Sequence, residues 1–205
     1  MRIELCGPLG VGKTTLAVNL SQKMNWTLIR EPVENHPFLE PFYARPAAHA
    51  FEKNLFFLLD YLHQIKACEG GDFIFDHSAV VHRSYATLNQ ITAVERPVYQ
   101  ALDSLTESVG PPDLLINLVC APETIMQRIR KRGRAFESEV PMDYVVALTE
   151  EIGRQVKAVS HYMRVLTLDA ASYDFDARPQ DNDKIIQIIQ QALGTAPVMR
   201  ERLTA

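Results

Sequence analysis

The sequence predicts an α/β protein built on a doubly wound sheet of five parallel strands with helices on both faces. Three observations predict it. Short apolar runs alternate with longer stretches of helical periodicity along the 205 residues. Most of those runs are apolar throughout, as strands buried on both faces are. A glycine-rich turn ending in a lysine follows the first run, at the strand end where a parallel sheet places its ligand.

The elements follow in order. Strand Arg2–Cys6 enters the glycine-rich turn, and helix Lys13–Met24 leaves it. Strand Thr27–Arg30 is next. A long helix over Ala47–Cys68 carries Phe51, Leu55, Phe56, Leu58, Leu59 and Leu62 at helical spacing. Strand Asp72–Phe75 precedes helix Val94–Val109, whose Pro97 falls in the first turn, where a missing N–H costs little. Pro111-Pro112 separates that helix from strand Leu114–Val119. Helices Pro122–Lys131 and Pro141–His161, strand Val165–Leu168 and helix Asn182–Leu193 complete the pattern. Residues 1–194 read as one domain and 195–205 as a tail.

Composition sets limits. With 47% hydrophobic and 22% charged residues the chain has a full core and is not disordered. A net charge of −4 carries no broad basic field, so neither nucleic acid nor a membrane surface is an expected partner. The three cysteines, Cys6, Cys68 and Cys120, are far apart and form no CxxC pair, which fits a reduced, cytoplasmic setting. The opening MRIELCGP lacks the apolar core of a signal peptide, and no apolar run approaches the ~18 residues of a membrane span.

The turn reads Gly7-Pro8-Leu9-Gly10-Val11-Gly12-Lys13-Thr14, followed by Thr15. This is the G-x-x-x-x-G-K-T phosphate loop in its proper strand–turn–helix context, hence a P-loop NTPase-type sheet. The glycines let backbone N–H groups curl around phosphate oxygens at a helix N-terminus. Lys13 supplies a cation for the β/γ-phosphates, and Thr14 a hydroxyl for Mg²⁺. The loop specifies a nucleoside triphosphate, ATP or another, without saying what is done with it.

Two strands end in carboxylates, at Glu31-Pro32-Val33 and Asp76-His77-Ser78. In a parallel sheet both lie near the phosphate loop. Asp76 is placed to hold the Mg²⁺ shell, and Glu31 to accept or orient the proton of an attacking hydroxyl. A lone acid at such a place also serves as a helix or turn cap. Further on, Arg128, Arg130, Lys131, Arg132 and Arg134 put five cations in seven residues, with Gly133 among them and Glu137 after. A charge run is usually a solvated helix face, and Arg130 and Lys131 read that way. Following a phosphate loop, the run reads as an Arg-rich lid over about residues 128–140, because guanidinium forks grip phosphate oxygens in pairs and a closing lid excludes water.

These residues together resemble the deoxynucleoside kinase family. The resemblance runs from Met1 to about Phe175. It rests on Gly7–Thr15, Glu31-Pro32-Val33, Tyr43–Pro46, Asp76-His77-Ser78, Arg128, Arg132 and Arg134 with Glu137, and Val140-Pro141-Met142-Asp143-Tyr144-Val145. It implies that Glu31 is the base facing a sugar 5′-hydroxyl, that Tyr43 and Glu137 hold the 3′-hydroxyl, and that the lid arginines clamp the donor phosphates. It sets Tyr173-Asp174-Phe175 against the donor adenine. It also implies a homodimer through two helices, one of them Val94–Val109. The chain departs from the family pattern at Asn54, where a base-pairing Gln is usual, and at Tyr61, where an Arg is frequent. His77 replaces an Arg beside Asp76, and His82 replaces an Asp. Arg83 is the nearby residue to supply the missing cation. Asn54 and His77 are therefore the candidate substrate residues of a remodelled base site. Three other readings keep part of the pattern: a nucleoside monophosphate kinase, a kinase of another small hydroxyl compound, and a nucleotide-binding regulatory protein without turnover.

Overall fold

The computed structural model describes residues 1–89, 91–173, 175 and 179–194. Its strands are β1 (Arg2–Cys6), β2 (Thr27–Ile29), β3 (Phe73–Phe75), β4 (Leu114–Val119) and β5 (Val165–Asp169). They form one parallel sheet in the order β2-β3-β1-β4-β5. Ile3 of β1 registers with Ile74 of β3 and with Leu114 of β4, so an apolar row crosses the middle of the sheet. The chain leaves β1 for the β2 side and crosses from β3 back to β4. The crevice at the carboxyl ends of β1 and β3 is thus the switch point where such sheets bind ligands.

The helices are α1 (Lys13–Met24), α2 (Leu39–Ala44), α3 (Pro46–Ala67), α4 (Ala79–Leu88), α5 (Arg96–Ser108), α6 (Pro122–Arg132), α7 (Met142–Val159) and α8 (Pro179–Gly194). Five parallel strands with flanking helices are what the sequence predicts. Sequence periodicity does not predict α2 or α4. In α2 the six residues include Pro41, too short and too broken for a periodic signal. In α4 the β-branched pair Val80-Val81 argues for a strand. What starts α4 is a cap: the Ser78 hydroxyl accepts the Val81 backbone N–H at 3.4 Å.

Two cores hold the molecule. One surrounds β1 and β4 beneath the phosphate loop, with Leu16 and Leu20 of α1, Ile125 of α6 and Leu148 of α7. The other joins α3, α4 and α5 through Leu58, Tyr61, Leu62, Ala79, Ala86 and Tyr99, with Phe75 of β3. Each fully buried aliphatic or aromatic side chain contributes about 1.5–3 kcal/mol of burial free energy, so both units are held chiefly by apolar packing. The cleft runs over both. Trp26 is half-buried against the first core, a packing residue. The tail over 195–205 lies outside the described residues.

Candidate active site

A cleft of about 1000 Å³ opens over the carboxyl ends of β1, β2 and β3. At one end is the phosphate loop. Gly7 stands at φ +139°, and a Cβ there would lie 2.6 Å from the Leu118 carbonyl oxygen, so only glycine lets the loop sit this close to β4. Gly12 is also left-handed, and α1 begins at the next residue, which sets the positive end of its dipole at the cleft. Lys13 Nζ donates to the Gly7 carbonyl at 2.7 Å and the Pro8 carbonyl at 3.0 Å. Burial pushes the Lys13 pKa down, and Glu31 and Asp76 oppose that shift.

Thr14 and Asp76 meet on the floor. The Thr14 hydroxyl donates to Asp76 Oδ2 at 3.0 Å, and Asp76 Oδ1 accepts the Glu31 backbone N–H at 2.7 Å. One carboxylate therefore ties the first helix, β2 and β3 together. Burial pushes its pKa up, against those two hydrogen bonds and Lys13. The Thr14 and Asp76 oxygens are adjacent hard donors at the phosphate end, a set that suits Mg²⁺.

The lid arginines are placed by α6 and by the stop at Gly133, whose φ of +68° turns the chain out of the helix. Arg128 Nη1 donates to the Val11 carbonyl at 2.7 Å and Nη2 to the Ala170 carbonyl at 2.9 Å, which ties α6 to the phosphate loop. Val11 itself is in the core and contributes its backbone. Arg132 Nε donates to Glu137 at 3.1 Å, and Arg134 Nη1 reaches the other carboxylate oxygen at 3.5 Å. Glu137 is buried between them, in a short 3₁₀ turn over Ala135–Glu137. Beyond the loop, the Tyr173 and Phe175 rings lie nearly parallel at 6.5 Å, with Phe175 against Gly12. Asp174 lies outside the described residues.

The other end is aromatic. Tyr43 packs on Phe136 at 5.4 Å. Phe57 and Tyr85 complete the wall, and Lys53 projects its ammonium among them. Lys53 Nζ lies 4.1 Å from the Tyr85 ring centre, 5.0 Å from Phe42 and 5.5 Å from Phe57. Glu31 stands between the two ends. Loss of water raises its pKa to about 7, with Lys13 opposing, Asp76 adding to the rise and Lys53 opposing. Burial lowers Lys53 to about 7, opposed by Glu31. His36 supports Lys53 from behind. Its Nδ1 accepts the Phe38 N–H at 3.1 Å, so its Nε2 carries the proton donated to the Lys53 carbonyl at 3.1 Å.

The cleft thus brings together Gly10, Gly12, Lys13, Thr14, Thr15, Glu31, Tyr43, Asp76, Arg128, Arg132, Arg134, Glu137 and Phe175 of the predicted residues. It does not include Asn54 or His77. Asn54 is buried behind Lys53, where its Oδ1 accepts from Lys53 Nζ at 3.2 Å and from Asn89 Nδ2 at 3.4 Å. His77 is fully buried and bonds through Nδ1 to His82 Nε2 at 3.1 Å and through Nε2 to Gln64 Oε1 at 2.9 Å. Tyr61 donates to Glu4 at 2.8 Å, and Arg2 stands 2.9 Å from the same carboxylate oxygen. Arg83 does not supply the missing cation: Asp103 of α5 holds its guanidinium at 2.7 Å.

Glu31, His77 and His82 each offer a ligand atom within 4.8 Å of the others. The imidazoles already satisfy each other and Gln64, and Lys13 and Lys53 act on them with positive charge, which opposes a cation there. Lys53, Phe57 and Tyr85 are the site residues that sequence reasoning misses. The signal for Lys53 is a charged residue at a core position, in line with Ala50, Phe57 and Leu58 on the buried face of α3.

The sequence model described as deoxynucleoside kinase matches residues 3–193. The chain is 30% identical over 203 residues to a deoxyguanosine kinase of Bacillus subtilis strain 168, covering 93% of this chain and 97% of that one. It is 29% identical over 152 residues to a deoxyadenosine/deoxycytidine kinase of the same strain, covering 69% and 70%. Among solved structures, a deoxyadenosine kinase from M. mycoides with bound dCTP superposes with a TM-score of 0.79 at 23% identity, covering 93% of this chain and all of the other. That likeness carries the fold.

Proposed function

From the membership of this chain in the deoxynucleoside kinase family, we propose that it transfers the γ-phosphoryl group of ATP to the 5′-hydroxyl of a deoxynucleoside. One observation supports this most: Asp76 accepts from the Thr14 hydroxyl and the Glu31 backbone N–H, which fixes the chain at Glu31 so that its carboxyl, raised in pKa by burial, stands beside the phosphate end of the cleft. Glu31 takes or orients the hydroxyl proton, and a carboxyl raised by burial holds an accepted proton better than an exposed one. Backbone N–H groups at the start of α1 hold the donor phosphates, and Lys13 exchanges the Gly7 and Pro8 carbonyls for phosphate oxygens. Thr14 and Asp76 would hold Mg²⁺, which would supply charge neutralisation to those phosphates. Arg128, Arg132 and Arg134 work from the lid over residues 128–140. Tyr43 and Glu137, both lining the cleft, position the sugar. Phe175 and Tyr173 flank the donor base.

The domain comprises residues 1–194, in line with the family match over 3–193. Val94, Val98 and Leu105 form an exposed apolar stripe on and before α5, 85%, 54% and 45% exposed, which favours a homodimer through that face. Three free cysteines suit a reducing cytoplasm, and the reaction suits nucleoside salvage. The test incubates purified protein with Mg-ATP and a panel of deoxynucleosides, ribonucleosides and nucleoside monophosphates, following ADP and product together. A 5′-monophosphate formed from deoxynucleosides, and stopped by EDTA, is expected. Turnover of only monophosphates or of another hydroxyl compound would overturn the reading.

A further inference from the structure

Lys53 is 3% exposed, yet it lines the cleft. Buried ammonium groups are ordinarily paired with a carboxylate. Among the described residues no carboxylate lies within 4.0 Å of it, and its one hydrogen bond goes to Asn54 Oδ1. The Phe42, Phe57 and Tyr85 rings hold the cation in place without using its N–H groups. An ammonium has three donors, so two remain for the cleft. Asn54 is itself fixed: Asn89 donates to its Oδ1 at 3.4 Å, and the Tyr144 hydroxyl donates to Asn89 at 2.9 Å. Lys53 is therefore a positioned charge with spare donors, at the end of the cleft that lies beyond Glu31 from the phosphate loop. An acceptor whose 5′-hydroxyl meets Glu31 extends its base toward this end.

We propose that Lys53 reads that base, donating to paired acceptors on its edge, so that the enzyme selects 6-oxopurine deoxynucleosides over 6-aminopurine ones. This rests on the deoxynucleoside kinase reading above. A 6-oxopurine presents O6 and N7 side by side, two acceptors that a lysine engages together. A 6-aminopurine presents N7 beside an N–H₂ donor, which faces the ammonium unfavourably. Thymine offers one carbonyl beside a methyl group on the same edge and leaves a donor unmet. Asn54, out of contact with the cleft, is a positioning residue for Lys53.

The experiment compares kcat/KM for deoxyguanosine, deoxyinosine, deoxyadenosine and 2-aminopurine deoxyriboside, in the wild type and in Lys53→Met. Deoxyinosine keeps O6 without the 2-amino group, and 2-aminopurine deoxyriboside keeps the 2-amino group without O6. The wild type is expected to favour the two oxo substrates by about 10- to 150-fold, the range of one hydrogen bond to a charged group. Lys53→Met is expected to collapse that ratio, chiefly through KM. A wild type that favours the substrates without O6 overturns the proposal without any variant. So does a Lys53→Met enzyme that keeps the ratio or loses all four substrates equally. If no deoxynucleoside is turned over, the kinase reading fails separately, and thermal shifts with the same four ligands still decide whether Lys53 discriminates them.

Discussion

The two ends of the cleft are built by different means. The phosphate end is made from contiguous sequence: Gly7 to Thr15 supply loop and helix start, and the Arg128–Arg134 run supplies the lid. Lys13 and Arg128 tie it to backbone carbonyls, and Asp76 joins it to the ends of β2 and β3. The other end is made from one or two side chains of each of three helices: Phe42 and Tyr43 of α2, Lys53 and Phe57 of α3, Tyr85 of α4. On the proposed function, phosphate handling rests on a local motif and base selection on packing between helices. The second can change while the first stays intact. Behind the aromatic end lie the buried Arg2–Glu4–Tyr61 and Gln64–His77–His82 polar chains.

The largest expected effect is at the junction. Glu31→Gln should lower kcat by about 10²- to 10⁴-fold on every acceptor, with ATP affinity retained, as seen by single-turnover kinetics and nucleotide titration. Unchanged kcat would remove Glu31 from proton handling. In the phosphate half, Gly7→Ala should cost about 1–3 kcal/mol of stability by strain, and weaken ATP binding, because its φ is +139° and Leu118 oxygen blocks the Cβ. A urea titration reads this, and wild-type stability in the variant would show that the loop can move away from β4.

Next is the base half. Lys53→Met should raise the melting temperature, since it removes a buried cation whose desolvation the nearby Glu31 charge only partly offsets. The sign with pH is fixed. The folded Lys53 pKa is depressed from 10.5 to about 7, so the unfolded chain binds more protons between those values and wild-type stability rises across that window. The advantage of Lys53→Met is therefore larger at pH 6 than at pH 9. An advantage that grows with pH would mean that Lys53 is not held in the desolvated setting described. The smallest effect concerns the histidines. Burial lowers His36 to about 4 and His77 to about 3, and puts His82 well below its usual value. Unfolded, they take up protons near pH 6.5, so the stability they contribute is full above that and falls as pH drops through 6.5 toward 4. His36→Gln should make the dependence shallower by about one proton in urea titrations from pH 7 to pH 5.

The same contrast explains what was legible in the sequence. The sheet could be read because each strand is a short apolar run between turn signals, and the loop because its glycines and lysine are consecutive. Glu31 and Asp76 could be read because they end strands. The helix α4 was hidden by Val80-Val81, although Ser78 announces its start. Asn54 and His77 are singled out by the family resemblance, which does not say which side of a helix or strand end faces the cleft. Asn54 and Lys53 are adjacent on α3 and differ by 100° around it. That rotation sets Lys53 on the wall and Asn54 behind it. Arg83 failed as a substitute cation because its partner Asp103 stands on α5, twenty residues away in sequence.

The most direct test of this division is to measure Glu31→Gln and Lys53→Met side by side with deoxyinosine and 2-aminopurine deoxyriboside. Glu31→Gln should lower kcat on both and leave their kcat/KM ratio as in the wild type, whereas Lys53→Met should shift the ratio toward unity. A ratio moved by Glu31→Gln and untouched by Lys53→Met would contradict the separation of chemistry from base selection.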